Sequence, residues 1–390
     1  MTDVLIIGGG PVGSHAAYRL ASMGHRVMVL ERNSSPGTKV CCTGIIGQEC
    51  VRSFGIKDAI LSEVNSAVLF SPSGKSIRLH RQAPQASILD RVAFDRAMAY
   101  QAQNEGAEYL FDAPVDTIDI SDDSVEVSEC RRGRHYTARA VIIASGAGSK
   151  LSEKLGLGKI ADLVGGAQVE VETRGIDEVE VYVGNKIAPG FFAWLVPIAP
   201  DTARVGLLSR RSPGLYLRRL LDRLVSEGKI IAPLAPPGYA AIPLKPLPST
   251  SGKRLMVVGD AAGQVKPTTG GGIYYGLLGA DSAAETLHEA LQDDDLSPKR
   301  LGIYDQKWRK RLGQELQTGY WARKLFERLS DRRIDRIFDL IEDQGIVDTL
   351  LTDTEVSFDW HSQAVSRLIG HQIIARAINV VKRPFPTRVD

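Results

Sequence analysis

Short apolar runs, broken by glycine-rich or polar punctuation, define the elements of this chain. Val4-Leu5-Ile6-Ile7 has the pattern of a buried strand. It runs into Gly8-Gly9-Gly10-Pro11-Val12-Gly13, then helical spacing at Ala16, Ala17 and Leu20, then a second strand, Val27-Met28-Val29-Leu30, closing on Glu31. Alternation around Ser71-Pro72-Ser73-Gly74 predicts a hairpin over 66–81. Phe94, Ala97, Met98 and Ala102 lie on one face of a helix predicted over 91–106, which Arg91 opens. Strands follow over 107–143, and Val141-Ile142-Ile143-Ala144 ends in a small-residue turn, 145–149. Alternation over 164–208 predicts a second sheet, rich in large apolar side chains, which serves as plain core or lines an apolar pocket. Proline-rich residues 232–248 read as the crossing back to the first domain, and Leu255-Met256-Val257-Val258 as another buried strand.

From about Asp281 the pattern is helical to the end. Leu325, Phe326, Leu329, Ile334, Ile337, Phe338 and Ile341 keep helical spacing, as do Ile373, Ile374, Ala377, Ile378 and Val381. Arg323, Lys324, Arg328, Arg332, Arg333 and Arg336 are interspersed. They read as a solvated basic face, or as a surface for acidic lipid head groups or a phosphorylated substrate.

The chain has 390 residues, more than the ~250–300 at which single cores stop growing, so several domains are expected. The expected fold class is α/β: a Rossmann-like nucleotide-binding domain, an antiparallel-sheet substrate domain and a C-terminal helical segment. The discontinuous boundaries are 1–60, 87–160 and 250–290 for the first, 61–86 and 161–249 for the second, and 291–390 for the third. Hydrophobic content of 43% and net charge of +2 are ordinary for a globular protein and no nucleic-acid partner is expected. No apolar run of ~18 residues appears, so no membrane span is expected. Cysteines at 41, 42, 50 and 130 fit neither a disulfide framework nor a metal or cluster spacing, so no metal is expected. Together with the absence of a signal peptide, this suggests the cytoplasm, with peripheral membrane contact through the basic C-terminal helices.

Strand, glycine turn, helix, strand and acid in this order form a dinucleotide fingerprint. Gly8 allows the tight turn, Gly10 the approach of a pyrophosphate to the helix N-terminus, and Gly13 the packing of helix on strand; Glu31 accepts from a ribose hydroxyl. The motif alone does not separate FAD from NAD. A second signature lies near the other end of the sequence: Gly259-Asp260-Ala261-Ala262-Gly263, then Pro267-Thr268-Thr269-Gly270-Gly271-Gly272-Ile273. Asp260 suits a polyol, and the amides of Gly270 to Gly272 suit a carbonyl or anionic ring edge. Two such sites fit an extended FAD.

Together these pieces resemble the p-hydroxybenzoate-hydroxylase-like flavoproteins and, within them, the geranylgeranyl reductase family. Pro36-Gly37-Thr38-Lys39-Val40-Cys41 is similar to that family's Lys-x-Cys loop. Phe192-Ala193-Trp194-Leu195-Val196-Pro197 is similar to its aromatic stretch, and 259–273 to its flavin-ring segment. The resemblance implies FAD contacts from Gly8, Gly10, Pro11, Val12, Gly13, Glu31, Arg32, Lys39, Cys41, Arg91, Gly259, Asp260, Pro267, Gly270, Gly271, Gly272 and Ile273. It implies a pocket at Phe192, Trp194 and Pro197, and Cys41, with Cys42 as runner-up, as the catalytic thiol that gates the flavin or relays a proton. The chain departs from the family at Gly206-Leu207-Leu208, Val196, Cys42 and Ser145-Gly146. The implied activity is saturation of isoprenoid C=C bonds by hydride from reduced flavin, with NAD(P)H or a ferredoxin-type protein as donor. The alternatives are an FAD-dependent monooxygenase of an aromatic or polyprenyl substrate and a non-enzymatic flavin-bound redox sensor.

Overall fold

The computed structural model describes residues 2–343 and 357–370. Its first sheet has the order Ser251–Gly252, Leu255–Val257, Arg134–Ile143, Thr2–Ile7, Val27–Leu30, Glu108–Leu110. All pairings along this path are parallel except the first, Ser251–Gly252 with Leu255–Val257, and the register sets Ile7 opposite both Leu30 and Ile143. Both faces of this sheet are covered, which is why its strands are continuous apolar runs. Val4 and Ile6 face helices Pro11–Ser22, Arg91–Asn104, Ile273–Gln292 and Pro298–Phe326, through Ala16, Leu20, Phe94, Ala283 and Trp308. Leu5 and Ile7 face the opposite way, onto Ile118, Val125 and Val127 of the antiparallel strands Val115–Ile120 and Val125–Glu129. The parallel strands end together, so Gly8, Glu31, Ala144 and Gly259 converge on one edge, where such sheets bind ligands.

The second sheet has the order Ile230–Pro233, Leu163–Thr173, Thr202–Ser209, Phe192–Ala199, Val179–Val183, Ser66–Phe70, Ser76–His80. Its pairings are antiparallel, except that Val179–Val183 runs parallel to Ser66–Phe70. One face (Ala167, Val169, Leu195, Val205, Leu207) packs on helix Pro213–Ser226. The other presents Val164, Phe192, Trp194, Leu208 and Ile242. A small sheet of Ile45–Gly47, Ala86–Leu89 and Ile60–Val64 stands beside it.

Two readings of the sequence change here. The proline-rich stretch 232–248 is not all crossing: Gly238–Pro243 is a strand paired with Leu163–Thr173. Prolines hide it from the sequence pattern, and an edge strand tolerates them because one side of its backbone needs no partner. The C-terminal region is helical in pieces, Ile273–Gln292, Pro298–Phe326, Asp331–Asp343 and Ser362–Gly370. Leu329, Ile334 and Phe338 pack on Leu69, Ile77 and Leu79 of the 66–80 hairpin. The stretch from Ile373 to Val381 lies outside the described residues. No helix among the described residues is long and apolar enough to cross a membrane.

Candidate functional site

The glycine turn is built by close approach. Gly8 has φ +106°, and a Cβ there would sit 2.5 Å from the carbonyl oxygen of Ala144. A Cβ on Gly13 would overlap the carbonyl oxygen of Gly8. Gly10 differs: it is the N-cap of Pro11–Ser22, and the space beside its Cα is open. A ligand can therefore approach the first-turn amides past Gly10 without meeting a side chain there, and the helix dipole favours an anion at that position. Val12 does a second job, since its side chain fills the gap between Gly259 and Gly276 and joins the two cofactor motifs.

Glu31 is buried, with Oε2 accepting from Gly9 N at 2.7 Å and Oε1 from Asn33 N at 2.8 Å. It holds the turn as well as offering lone pairs to a ligand. Arg32 is exposed on the loop that follows, and Lys39, at φ +59°, is exposed on the way to the cysteines. That loop crosses to the second sheet. The Cys41 Sγ lies 3.2 Å from where a Cβ on Gly238 would be, so Gly238 makes its room. Burial, with Cys42 adding to it, pushes the Cys41 thiol up to about 11. It is a protonated thiol at neutral pH, not a thiolate nucleophile. Cys42 instead lies near enough to the Arg91 guanidinium to act on it electrostatically. The adjacent cysteines thus have different neighbours.

Arg91 opens its helix behind the N-cap Asp90, whose carboxylate accepts from Val92 N and Ala93 N. Arg91 is bound to Asp95 at 2.8 Å. Burial would lower its pKa, but Cys42 and Asp95 hold it above the ordinary arginine value. Asp260 shares this electrostatic environment. Burial pushes its carboxyl up to about 6, with Arg91 opposing. A Cβ on Gly272 would overlap that carboxylate, so the second motif needs glycine where helix Ile273–Gln292 begins. The loop before it is closed by Lys266 N to Gly271 O (3.0 Å) and Gly270 N to Lys266 O (2.8 Å). Pro267 lies within this turn, with its carbonyl accepting from Arg323.

The second sheet roofs this edge. Leu208 Cδ1 would lie 2.7 Å from a Cβ on Gly270, so sheet and loop touch. Phe192 and Trp194 stand 5.9 Å apart in one apolar cluster with Val164, Phe191, Leu208 and Ile242. Trp194 lies flat over Gly206, whose Cβ would be 2.5 Å from the indole. Pro197 is not brought to them: it pairs with Ala203, and alternation sets it on the face turned to helix Pro213–Ser226.

Sequence reasoning missed Arg204 and misplaced Arg323. Arg204, buried, donates to Thr43 O (2.8 Å), Leu89 O (3.1 Å) and Glu170 (3.1 Å), clamping the cysteine loop to the second sheet. Arg323 belongs to no solvated basic face: it is buried, stacks 3.7 Å over Phe191, and donates to the carbonyls of Pro267 and Thr268. Helical spacing marks only which side of a helix a residue is on. It cannot show a distant loop arriving there.

Residues 1–212 match the FAD binding domain family model. Digeranylgeranylglycerophospholipid reductase 2 of Methanothermobacter thermautotrophicus is 32% identical over 363 residues, covering 88% of this chain and 92% of that protein. The digeranylgeranylglycerophospholipid reductase of Methanosphaerula palustris is 33% identical, covering 86% and 88%. The crystal structure of a geranylgeranyl bacteriochlorophyll reductase-like protein from Thermoplasma acidophilum superposes with a TM-score of 0.84 at 24% identity, covering 97% and 98%. The p-nitrophenol 4-monooxygenase of Pseudomonas putida shares the fold with a TM-score of 0.70 at 20% identity.

Proposed function

Because this chain belongs to the FAD-binding domain family and, within it, to the geranylgeranyl reductases, we propose that it is an FAD-dependent reductase saturating C=C bonds in the isoprenoid chains of a lipid. One observation carries this reading: the two cofactor motifs, 250 residues apart in sequence, meet at one sheet edge directly under the Phe192–Trp194–Leu208 cluster.

The residues present fit FAD. Open space at Gly10 before the helix N-terminus suits the pyrophosphate, Glu31 the ribose, and Asp260 the ribityl chain. The Lys266–Ile273 loop suits the ring. Bound and reduced, this cofactor supplies a hydride for one alkene carbon. The protein does the rest. Phe192, Trp194 and Leu208 hold the alkene and exclude water, because an unactivated double bond must be placed rather than polarised. Near-attack placement of this kind contributes roughly 7–11 kcal/mol. Cys41, a neutral thiol at neutral pH, suits two roles: a proton source for the second carbon, or a gate beside the ring. Leu208, where relatives of this type carry glycine, narrows the pocket and bears on how long a chain it admits.

Peripheral membrane contact belongs to the same proposal. A lipid substrate has to be drawn from a membrane, and Arg332 and Arg336 remain exposed on helix Asp331–Asp343. A ferredoxin-type donor, with NAD(P)H as the other candidate, is supported by Ser145 standing where related flavoproteins carry aspartate. The site of action is then the cytoplasmic side of a membrane. The test is mass spectrometry of lipids from cells expressing the chain. A gain of two hydrogens per double bond is expected; unchanged lipids, or oxygen uptake coupled to substrate in the purified protein, would contradict it.

A further inference from the structure

The loop expected to meet the flavin ring is held from behind by a distant segment, Ser357–Ser362. Lys266 Nζ is buried, donates to Phe358 O at 2.9 Å, and lies 3.3 Å from Asp359 Oδ1 between the rings of Tyr275 and Phe358. Asp359 is itself 1% exposed. Its other carboxylate oxygen accepts from Glu49 N at 3.1 Å, at the start of helix Gln48–Phe54. A Cβ on Gly47 would overlap that carboxylate, so glycine leaves its seat open. Two residues on, His361 Nε2 faces Phe358 O at 2.7 Å. A carbonyl only accepts, so Nε2 carries the proton and Nδ1 accepts from the Thr268 hydroxyl at 2.5 Å. Glu315 Oε2, on helix Pro298–Phe326, accepts from the amides of His361 and Ser362, each at 2.9 Å. Trp360 Nε1 donates to Glu49 at 2.6 Å. The polar side chains of Asp359, Trp360, His361 and Ser362 all have partners at this junction, and two of them, Asp359 and His361, end on the Lys266–Gly271 loop.

A buried ammonium needs its counter-charge: removing one partner of such a pair is far more damaging than removing both. The Lys266 backbone closes the loop through Gly270 and Gly271, so the position of its side chain sets the loop's shape and the local charge. We propose that Asp359 is a positioning residue for the cofactor: acting through Lys266, it sets the conformation and net charge of the loop that meets the flavin ring, which makes Ser357–Ser362 part of the cofactor site. This rests on the reading that the Lys266–Ile273 loop holds the ring.

The test uses the full chain stripped of flavin, titrated with FAD, followed by the midpoint potential of the reconstituted protein at pH 6.5. Asp359→Asn is expected to bind FAD at least tenfold more weakly and to raise the potential, because an uncompensated ammonium favours the reduced flavin. Lys266→Met is expected to lower the potential. The double variant is expected to return FAD affinity to within about threefold of wild type. Opposite signs for the two single variants are a signature that general loosening would not give. Gly47→Ala, which keeps both charges but crowds the carboxylate, is expected to weaken FAD about fivefold, and serves if Asp359→Asn does not fold. The inference is overturned if wild type binds FAD while both single variants bind within twofold of it, if their potentials move together or not at all, or if Gly47→Ala leaves affinity unchanged. A wild-type chain that takes up no FAD overturns the flavoprotein reading itself, and this inference with it.

Discussion

Cys41 and Asp260 carry the most specific expectations among single residues. The Cys41 thiol is pushed up to about 11, chiefly by burial, and only the thiolate alkylates. Iodoacetamide at pH 7.5 should therefore label the exposed Cys130 well before Cys41, and the Cys41 rate should climb until the pH approaches 11. Early labelling of Cys41, read by peptide mass spectrometry, would contradict the buried, neutral thiol. Asp260 is expected to hydrogen-bond the cofactor as a charged acceptor, worth about 1.5–3 kcal/mol. Asp260→Ala should then weaken FAD by at least tenfold in a fluorescence titration, and affinity within twofold of wild type would remove it from the site. At this scale the sequence was partly legible. Glu31 and Asp260 stand at fixed offsets from local motifs, so spacing places them. Arg204 and Arg323 take their meaning from carbonyls of distant segments, Thr43 and Leu89 for one, Pro267 and Thr268 for the other. Nothing in their own neighbourhoods marks them.

The elements show the same division. The strand–turn–helix–strand unit is read from sequence because its constraints are short-range: Gly13 must be glycine because of Gly8, five residues away. Gly13→Ala should push helix Pro11–Ser22 off its strand at a cost of roughly 1–3 kcal/mol. The expected result is a lower melting temperature together with weaker FAD binding; an unchanged melting temperature would contradict the tight crossing. Strand Gly238–Pro243 was hidden because its signal is pairing with Leu163–Thr173, not its own composition. Pro197 directly follows Val196 in a stretch that reads as one motif, yet alternation turns it from Phe192 and Trp194. A linear motif carries no facing until the strand's register is known.

The whole molecule places a parallel sheet's carboxyl edge beneath an antiparallel roof, with Pro298–Phe326 bracing both. At the brace, burial alone would raise the Asp162 carboxyl, but Arg210, Lys324 and Tyr320 hold it at about 2. His361 is moved down to about 3, by burial first and then by Lys266. Both folded values lie below the ordinary ones, so both contributions are complete at neutral pH. The His361 contribution is lost as pH falls from about 6.5 toward 3, that of Asp162 below about 4. Urea midpoints should therefore drop with acid through this window, and His361→Gln should flatten its upper part; a midpoint level from pH 7 to 4 would contradict the assignment. The central claim concerns chemistry at the junction of sheet and roof, and anaerobic single turnover tests it most directly. Photoreduced holoprotein is mixed, without oxygen, with a glycerophospholipid bearing geranylgeranyl chains, while the flavin absorbance and the lipid mass are followed together. The account predicts that the oxidised flavin band returns as the lipid gains two hydrogens for each flavin reoxidised. Flavin that stays reduced beside unchanged lipid would contradict it.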